Sequence, residues 1–307
     1  MKTPFKNLIL KLYLLLFILI SSGVVVASPN VVVNSKEKSQ VIKDSVIRIL
    51  AIGNSFSEDA IEHYLYDLAK AGGYKVIIGN LSIGGAPLDL HWKNASGDKA
   101  AYSYRKIDVT GHKEKKPNVS LAVAIADEKW DYISFQQASP KSGLYETYVE
   151  PLPLFFNYVK ERATNPKVKY IWHQTWAYAQ NSTHKGFKSY DNDQMKMYNG
   201  IMNASVNVKR LIGIDLVIPS GTAIQNARTS FIGDHMNRDG FHLDLNIGRY
   251  TASCVWYEAI FNKKVIGNSF KPEKLSAYEA SMAQTAAHYA IKKPFKVTKL
   301  KKFRKKK

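Results

Sequence analysis

The feature that most limits what this chain can become is an alternation. Between residues 45 and 261, short apolar runs trade places with longer stretches of helical periodicity. Strands separated by helices pair in parallel, and their crossovers place helices on both faces of the sheet. The runs "SVIRILAIG" (Ser45–Gly53), "YKVIIGNL" (Tyr74–Leu81), "DYISFQ" (Asp131–Gln136), "VKYIWHQT" (Val168–Thr175) and "DLVIPS" (Asp215–Ser220) predict five parallel strands. The expected fold class is therefore α/β, a three-layer α/β/α sandwich around a five-stranded parallel sheet. Helices are predicted over Ser57–Gly73, capped by Ser57, and after Asn118, which would cap the second. Others are expected over Tyr148–Arg162, within Asn192–Leu211, over Gly221–Thr229 and over Leu245–Phe261. Lys99–Pro117 breaks the rhythm and predicts an inserted hairpin or lobe before the third strand.

The flanks read differently from this domain (residues 45–270). Residues 1–27 carry lysines, an apolar stretch from Leu12 to Ile20 and small residues up to Ala27, the pattern of a secretory signal peptide. Ser21, Ser22 and Gly23 break the apolar run, which favours cleavage and export to the periplasm or beyond over a retained membrane anchor. Residues 28–44 are polar and predict a linker, residues 271–291 one or two added helices, and residues 292–307 a disordered basic tail. The formal charge of +19 is mostly a property of the ends. Ten basic and no acidic residues lie from Lys292 onward, and residues 28–291 keep only +6. A charge placed this way gives no support to nucleic-acid binding. Cys254 is the single cysteine, so no disulfide within the chain and no thiolate metal cluster can form.

In an open α/β sheet, ligands bind beyond the carboxyl ends of the strands. Gly53-Asn54-Ser55 follows the first predicted strand, Gly84-Gly85 the second, Gln136-Gln137 ends the third, and "WAYAQNSTH" follows the fourth. "GDHMNRDGFHLD", past the fifth, brings Asp239 and His242. A hydroxyl, glycine backbone, amide donors and an Asp/His pair are the parts that acyl transfer requires.

These blocks resemble the SGNH (GDSL-like) hydrolase superfamily, and within it a branch of uncharacterised domains from secreted bacterial proteins. Gly53-Asn54-Ser55 is similar to the first block, with asparagine where many members carry aspartate. Asn80–Gly85 ("NLSIGG") is similar to the second, and Asp239-Gly240-Phe241-His242 to the last, across about Val46–Phe261. The resemblance implies a flavodoxin-like fold and a serine esterase. Ser55 would be the nucleophile, His242 the base, Asp239 its orienting carboxylate, and Gly85 an oxyanion donor. The third block usually supplies an asparagine; here Gln136 is the first choice for that donor, with Gln137 its rival.

Other readings of the same residues compete with this one. Ser55 could be only a helix cap, and Ser57 is a second candidate nucleophile whose place inside the helix start suits capping better. His235, Asp239, His242 and Asp244 lack a helical ligand spacing, so neither a metal nor another cofactor is expected. No G-x-S-x-G elbow, H-E-x-x-H helix or phosphate-binding glycine loop occurs. Among the aromatics predicted near the mouth (His91, Trp92, Trp172, Trp176, Tyr178), Trp176 is the candidate pocket wall for a substrate. The leading expectation is hydrolysis of an acyl ester, with O-acetyl groups on carbohydrate implied by the family resemblance. A lipase or thioesterase, or a catalytically silent carbohydrate-binding protein on the same fold, are the alternatives.

Overall fold

A computed structural model describes residues 45–304. The signal-peptide and linker expectations lie outside the described residues. Strand β1 (Val46–Gly53) is central, and its apolar run alternates in period two between the two faces of the sheet. Ile49 and Ala51 enter one core with Phe56, Leu65 and Trp256, while Leu50 and Ile52 enter the other with Leu121, Phe135 and Trp172. Burial on both faces is what makes such a strand read as uninterrupted hydrophobic sequence.

The sheet has seven strands in the order β4-β3-β2-β1-β5-β6-β7. Five are parallel: β2 (Lys75–Ser82), β1, β5 (Tyr132–Phe135), β6 (Lys169–His173) and β7 (Leu216–Ile218). The expected five-strand sheet is thus extended by two. The interrupting segment forms an antiparallel hairpin, β3 (Tyr102–Ile107) and β4 (Lys113–Val119), added to the outer side of β2.

Helices α1 (Ser55–Ile61) and α2 (Leu65–Ala71) occupy the span expected to be one helix. Lys113 Nζ takes the Glu62 carbonyl at 2.9 Å, and Asn80 Nδ2 and Arg105 Nη1 hold the Glu62 side chain. Tertiary bonds to that residue replace the helical ladder and the chain turns. Asn54, not Ser57, caps α1: its Oδ1 accepts from the Phe56 N–H at 3.0 Å. Likewise Ser120, not Asn118, caps the helix that follows the hairpin, because β4 runs through residue 118.

On one face lie α3 (Leu88–Ser96), α4 (Leu121–Ala126) and α5 (Pro151–Arg162), and α6 (Gln194–Ile212) feeds side chains into both cores. On the other are α1, α2, α7 (Ser220–Arg228), α8 (Ile247–Phe261) and α9 (Ala277–Lys292). Helix α9 begins with a Ser276/Glu279 capping box and buries Met282, Ala283, Ala286 and Ala287 completely. It is an integral part of that layer. The basic segment after it corrects the expectation of disorder as far as residue 304. Leu300 and Phe303 are buried, Thr298 N–H donates to Asn226 Oδ1, and Phe231 N–H donates to the Phe303 carbonyl. Two apolar anchors dock this strap while its lysines stay exposed. No helix among the described residues is long and apolar enough to cross a membrane.

Candidate active site

Ser55 is the first residue of α1, directly beyond the carboxyl end of β1. Its backbone N–H has no carbonyl one turn earlier to donate to, as for every first helical residue. His242 Nε2 lies 2.9 Å from Ser55 Oγ, and His242 Nδ1 lies 2.7 Å from Asp239 Oδ2. Asp239 Oδ1 also accepts from the backbone N–H groups of His242 (2.7 Å) and Phe241 (3.1 Å). Partial burial works against this carboxylate, but the His242 ring and the two N–H donors outweigh it and hold its pKa below the ordinary 3.8. An ionised Asp239 only accepts, so the shared proton belongs to His242 Nδ1, and Nε2 is left to accept from the serine hydroxyl.

The loop carrying His242 is anchored from below by a residue on α1. Asp59 sits one helical turn after Ser55 and is 1% exposed. It accepts from Arg249 Nε (2.8 Å), from Leu243 N–H (2.9 Å) and from Arg238 Nη1 (3.1 Å to both oxygens). Two guanidiniums and a backbone donor compensate a buried carboxylate that would otherwise be costly. The same helix therefore presents Ser55 and grips the residue that follows His242. Read from sequence, Asp59 is only an acidic residue suited to a helix start; nothing local announces partners nearly 190 residues away.

Trp176 corrects its assignment as a pocket wall. It is fully buried, stacks on Phe56 at 4.2 Å with an interplanar angle of 4°, and donates from Nε1 to the Phe241 carbonyl at 2.8 Å. It supports the Asp239–His242 turn from inside. Trp172, Tyr178 and His91 are also buried, Trp92 is half-buried, and the partly exposed rings beside His242 are Phe241, at 4.0 Å between ring centres, and His184, which packs on Phe241.

Gln136 and Gln137 also depart from expectation. Gln136 is 2% exposed and its Nε2 donates to Asn54 Oδ1 at 2.9 Å. Gln137 turns its Oε1 to the Leu88 and Ala138 N–H groups and its Nε2 to Thr147. Both amides are buried and bonded within the protein: Gln136, assigned as an oxyanion donor, gives an N–H to Asn54, and Gln137, its rival, to Thr147. At Gly53 a Cβ would meet the Gln136 amide carbon at 2.7 Å, so that amide lies flat against the backbone behind Ser55.

The Gly84-Gly85 turn is tied to the serine segment at both ends. Ile83 N–H donates to the Gly53 carbonyl (3.2 Å), and Asn54 Nδ2 donates to the Ala86 carbonyl (3.2 Å). Gly85 adopts φ +66°, a left-handed conformation that glycine takes without a steric penalty. Among the described residues the Ser55 and Gly85 N–H groups have no protein acceptor. Ser57, the rival nucleophile, is fully buried, and its one hydroxyl proton is shared between the Asn54 carbonyl at 2.7 Å and Asn80 Oδ1 at 2.8 Å. Among the described residues no group of three His, Cys, Asp or Glu is arranged to hold a metal ion.

Fold and site together define an α/β protein with a serine, a histidine and an aspartate linked in series at the sheet's carboxyl edge. The chain belongs to the DUF4886 family, described as a domain of unknown function, whose signature matches residues 48–290. It is similar to a DUF4886 family protein from Bacteroides uniformis, at 52% identity and TM-score 0.83, covering 85% of this chain and 100% of that one. A candidate SGNH hydrolase from Slackia heliotrinireducens aligns at 20% identity and TM-score 0.48, covering 70% of this chain and 100% of its own. A carbohydrate esterase family 3 protein from Talaromyces cellulolyticus aligns at 10% identity and TM-score 0.43, covering 70% of this chain and 97% of that one. No curated protein sequence matches the chain.

Proposed function

We propose that this chain is a serine esterase of SGNH type that hydrolyses carboxylic esters outside the cytoplasm, with O-acetyl groups on carbohydrate as its substrate class. The observation that carries the reading is the Ser55–His242–Asp239 series, with successive contacts of 2.9 and 2.7 Å. In the mechanism, Ser55 Oγ attacks the ester carbonyl carbon while its proton passes to His242 Nε2. Asp239 keeps the ring oriented and stabilises the imidazolium. The N–H groups of Ser55 and Gly85 receive the oxyanion, and each such donor is worth about 2.7–4 kcal/mol of barrier. Collapse breaks the C–O bond to the alcohol, which leaves with the proton from His242. Water then repeats the cycle on the acyl-serine, releasing the carboxylic acid and restoring the hydroxyl. The acyl group and the export are supported by the family resemblance and by the leader sequence. Hydrolysis of p-nitrophenyl acetate and of acetylated xylan by the wild type, beside Ser55→Ala, tests the reading. Turnover that Ser55→Ala abolishes is the expected result; equal turnover by both proteins would overturn it.

A further inference from the structure

Behind the nucleophile runs a single hydrogen-bonded chain that touches the carboxyl ends of all five parallel strands. Ser220, just past β7, places Oγ 3.0 Å from His173 Nε2. His173, the last residue of β6, places Nδ1 2.9 Å from Gln136 Oε1. Gln136, just past β5, donates through Nε2 to Asn54 Oδ1, and Asn54, just past β1, donates through Nδ2 to the Ala86 carbonyl beyond β2.

The direction of every bond in this chain is fixed. Asn54 Oδ1 already accepts the Phe56 N–H, so that atom is the amide oxygen and must receive from the Gln136 nitrogen. Gln136 then turns its oxygen to His173, whose Nδ1 carries the proton. His173 Nε2 is left to accept from the Ser220 hydroxyl. Reversing any member would set two acceptors or two donors face to face at groups buried from solvent. All four side chains are at most 2% exposed, and Trp256 meets the imidazole edge-on at 5.2 Å. Burial pushes the His173 pKa down to about 3, so the ring stays neutral and keeps this polarity.

The far end of the chain is the Gly84-Gly85 turn. A Cβ built on either glycine would meet nothing within 4 Å, and the ties to Gly53 and Asn54 join the two ends of this turn to the Ser55 segment. We propose that His173 and Gln136 are positioning residues that act through Asn54 to hold the Gly85 N–H where the oxyanion forms. This rests on the esterase reading above, and it gives Gln136 a place in the reaction without contact with the substrate.

The test compares His173→Leu, His173→Asn and Gln136→Glu in the full chain. With p-nitrophenyl acetate, His173→Leu should lower kcat about 10- to 100-fold with KM within about 2-fold, the scale of a displaced reacting geometry. His173→Asn puts an amide nitrogen near the place of Nδ1 and should recover to within about 5-fold of wild type. Gln136→Glu turns an acceptor on Asn54 Oδ1 until the new carboxyl is protonated, so its kcat should gain an ionisation, active when protonated, that wild type lacks. Equal losses in Leu and Asn at residue 173, or no new ionisation in Gln136→Glu, would overturn the proposal. A readout free of activity separates this from the esterase reading. Imidazole nitrogen NMR should show His173 protonated on Nδ1 from pH 5 to 8, and His173→Leu should shift the Gly85 amide resonance while leaving that of Gly233 unchanged. If wild type shows no Ser55-dependent turnover, the esterase reading fails. A protonated Nε2, or an undisturbed Gly85 amide, sinks the positioning chain whatever the activity.

Discussion

Ser55 is supported on its two sides by different means. On the inner side stands the Asn54–Gln136–His173–Ser220 chain, sealed from solvent and satisfied internally at every atom described above. On the outer side stand Asp239 and His242, whose side chains are 40% and 20% exposed on a turn between α7 and α8. The inner group is held by surrounding protein. The outer group, which on the proposed esterase reading faces the substrate, is held from beneath by Asp59, Trp176 and their partners. A site that must be both open and exact divides the task in this way: exposed groups do chemistry and buried polar groups set where they stand.

Removing the exposed members should have the largest effect on turnover. Ser55→Ala or His242→Ala should cut kcat for p-nitrophenyl acetate by at least about 10³-fold with little change in melting temperature. Asp239→Asn should cost nearly as much by favouring the wrong imidazole tautomer, on the order of 10³- to 10⁴-fold. The same aspartate has a pH signature. Its depressed carboxyl contributes stability that is present above the ordinary 3.8 and lost as pH falls through the lower folded value. Acid unfolding followed between pH 5 and 2 should therefore flatten in Asp239→Asn.

Breaking the support from beneath reverses the pattern, lowering stability as well as rate. Asp59→Ala leaves Arg238 and Arg249 without their shared carboxylate and should cost about 3–5 kcal/mol of unfolding free energy, measured by urea titration. It should also lower kcat about 10- to 100-fold as the His242 turn loosens. The smallest effect is expected from Trp176→Phe, which keeps the stack on Phe56 but loses the bond to the Phe241 carbonyl. A loss of about 1 kcal/mol and a several-fold fall in kcat would place Trp176 with Asp59. An unchanged kcat would show that the turn holds without it.

The parallel sheet was legible because strands buried on both faces must be apolar throughout, and β1 could be read almost to the residue. The hairpin was visible only as an interruption: β4 is mostly charged or polar, with Val119 its one buried residue, and as an exposed edge it needs no apolar pattern. The break between α1 and α2 was hidden because the residues that hold Glu62 there come from β2, β3 and β4. In the site, Ser55 was legible as a hydroxyl just past a strand, and Asp239 and His242 as a short Asp-x-x-His motif in the loop between α7 and α8. Asp59, His173 and the true duty of Gln136 could not be, since their partners are set by folding rather than by spacing. One signal was present. A histidine and a glutamine ending adjacent apolar strands are costly to bury unless they bond to one another.

The docked strap has a consequence for how the molecule comes into being. Residues 226–231, which lead into the turn bearing Asp239, take three of their partners from Thr298, Leu300 and Phe303. A nascent chain emerges from its N-terminus onward, so Ser55 is made some 250 residues before those partners exist. Ser55 waits on the ribosome, and a polypeptide interrupted before Leu300 carries Ser55, Asp239 and His242 yet lacks two of the bonds that brace residues 226–231.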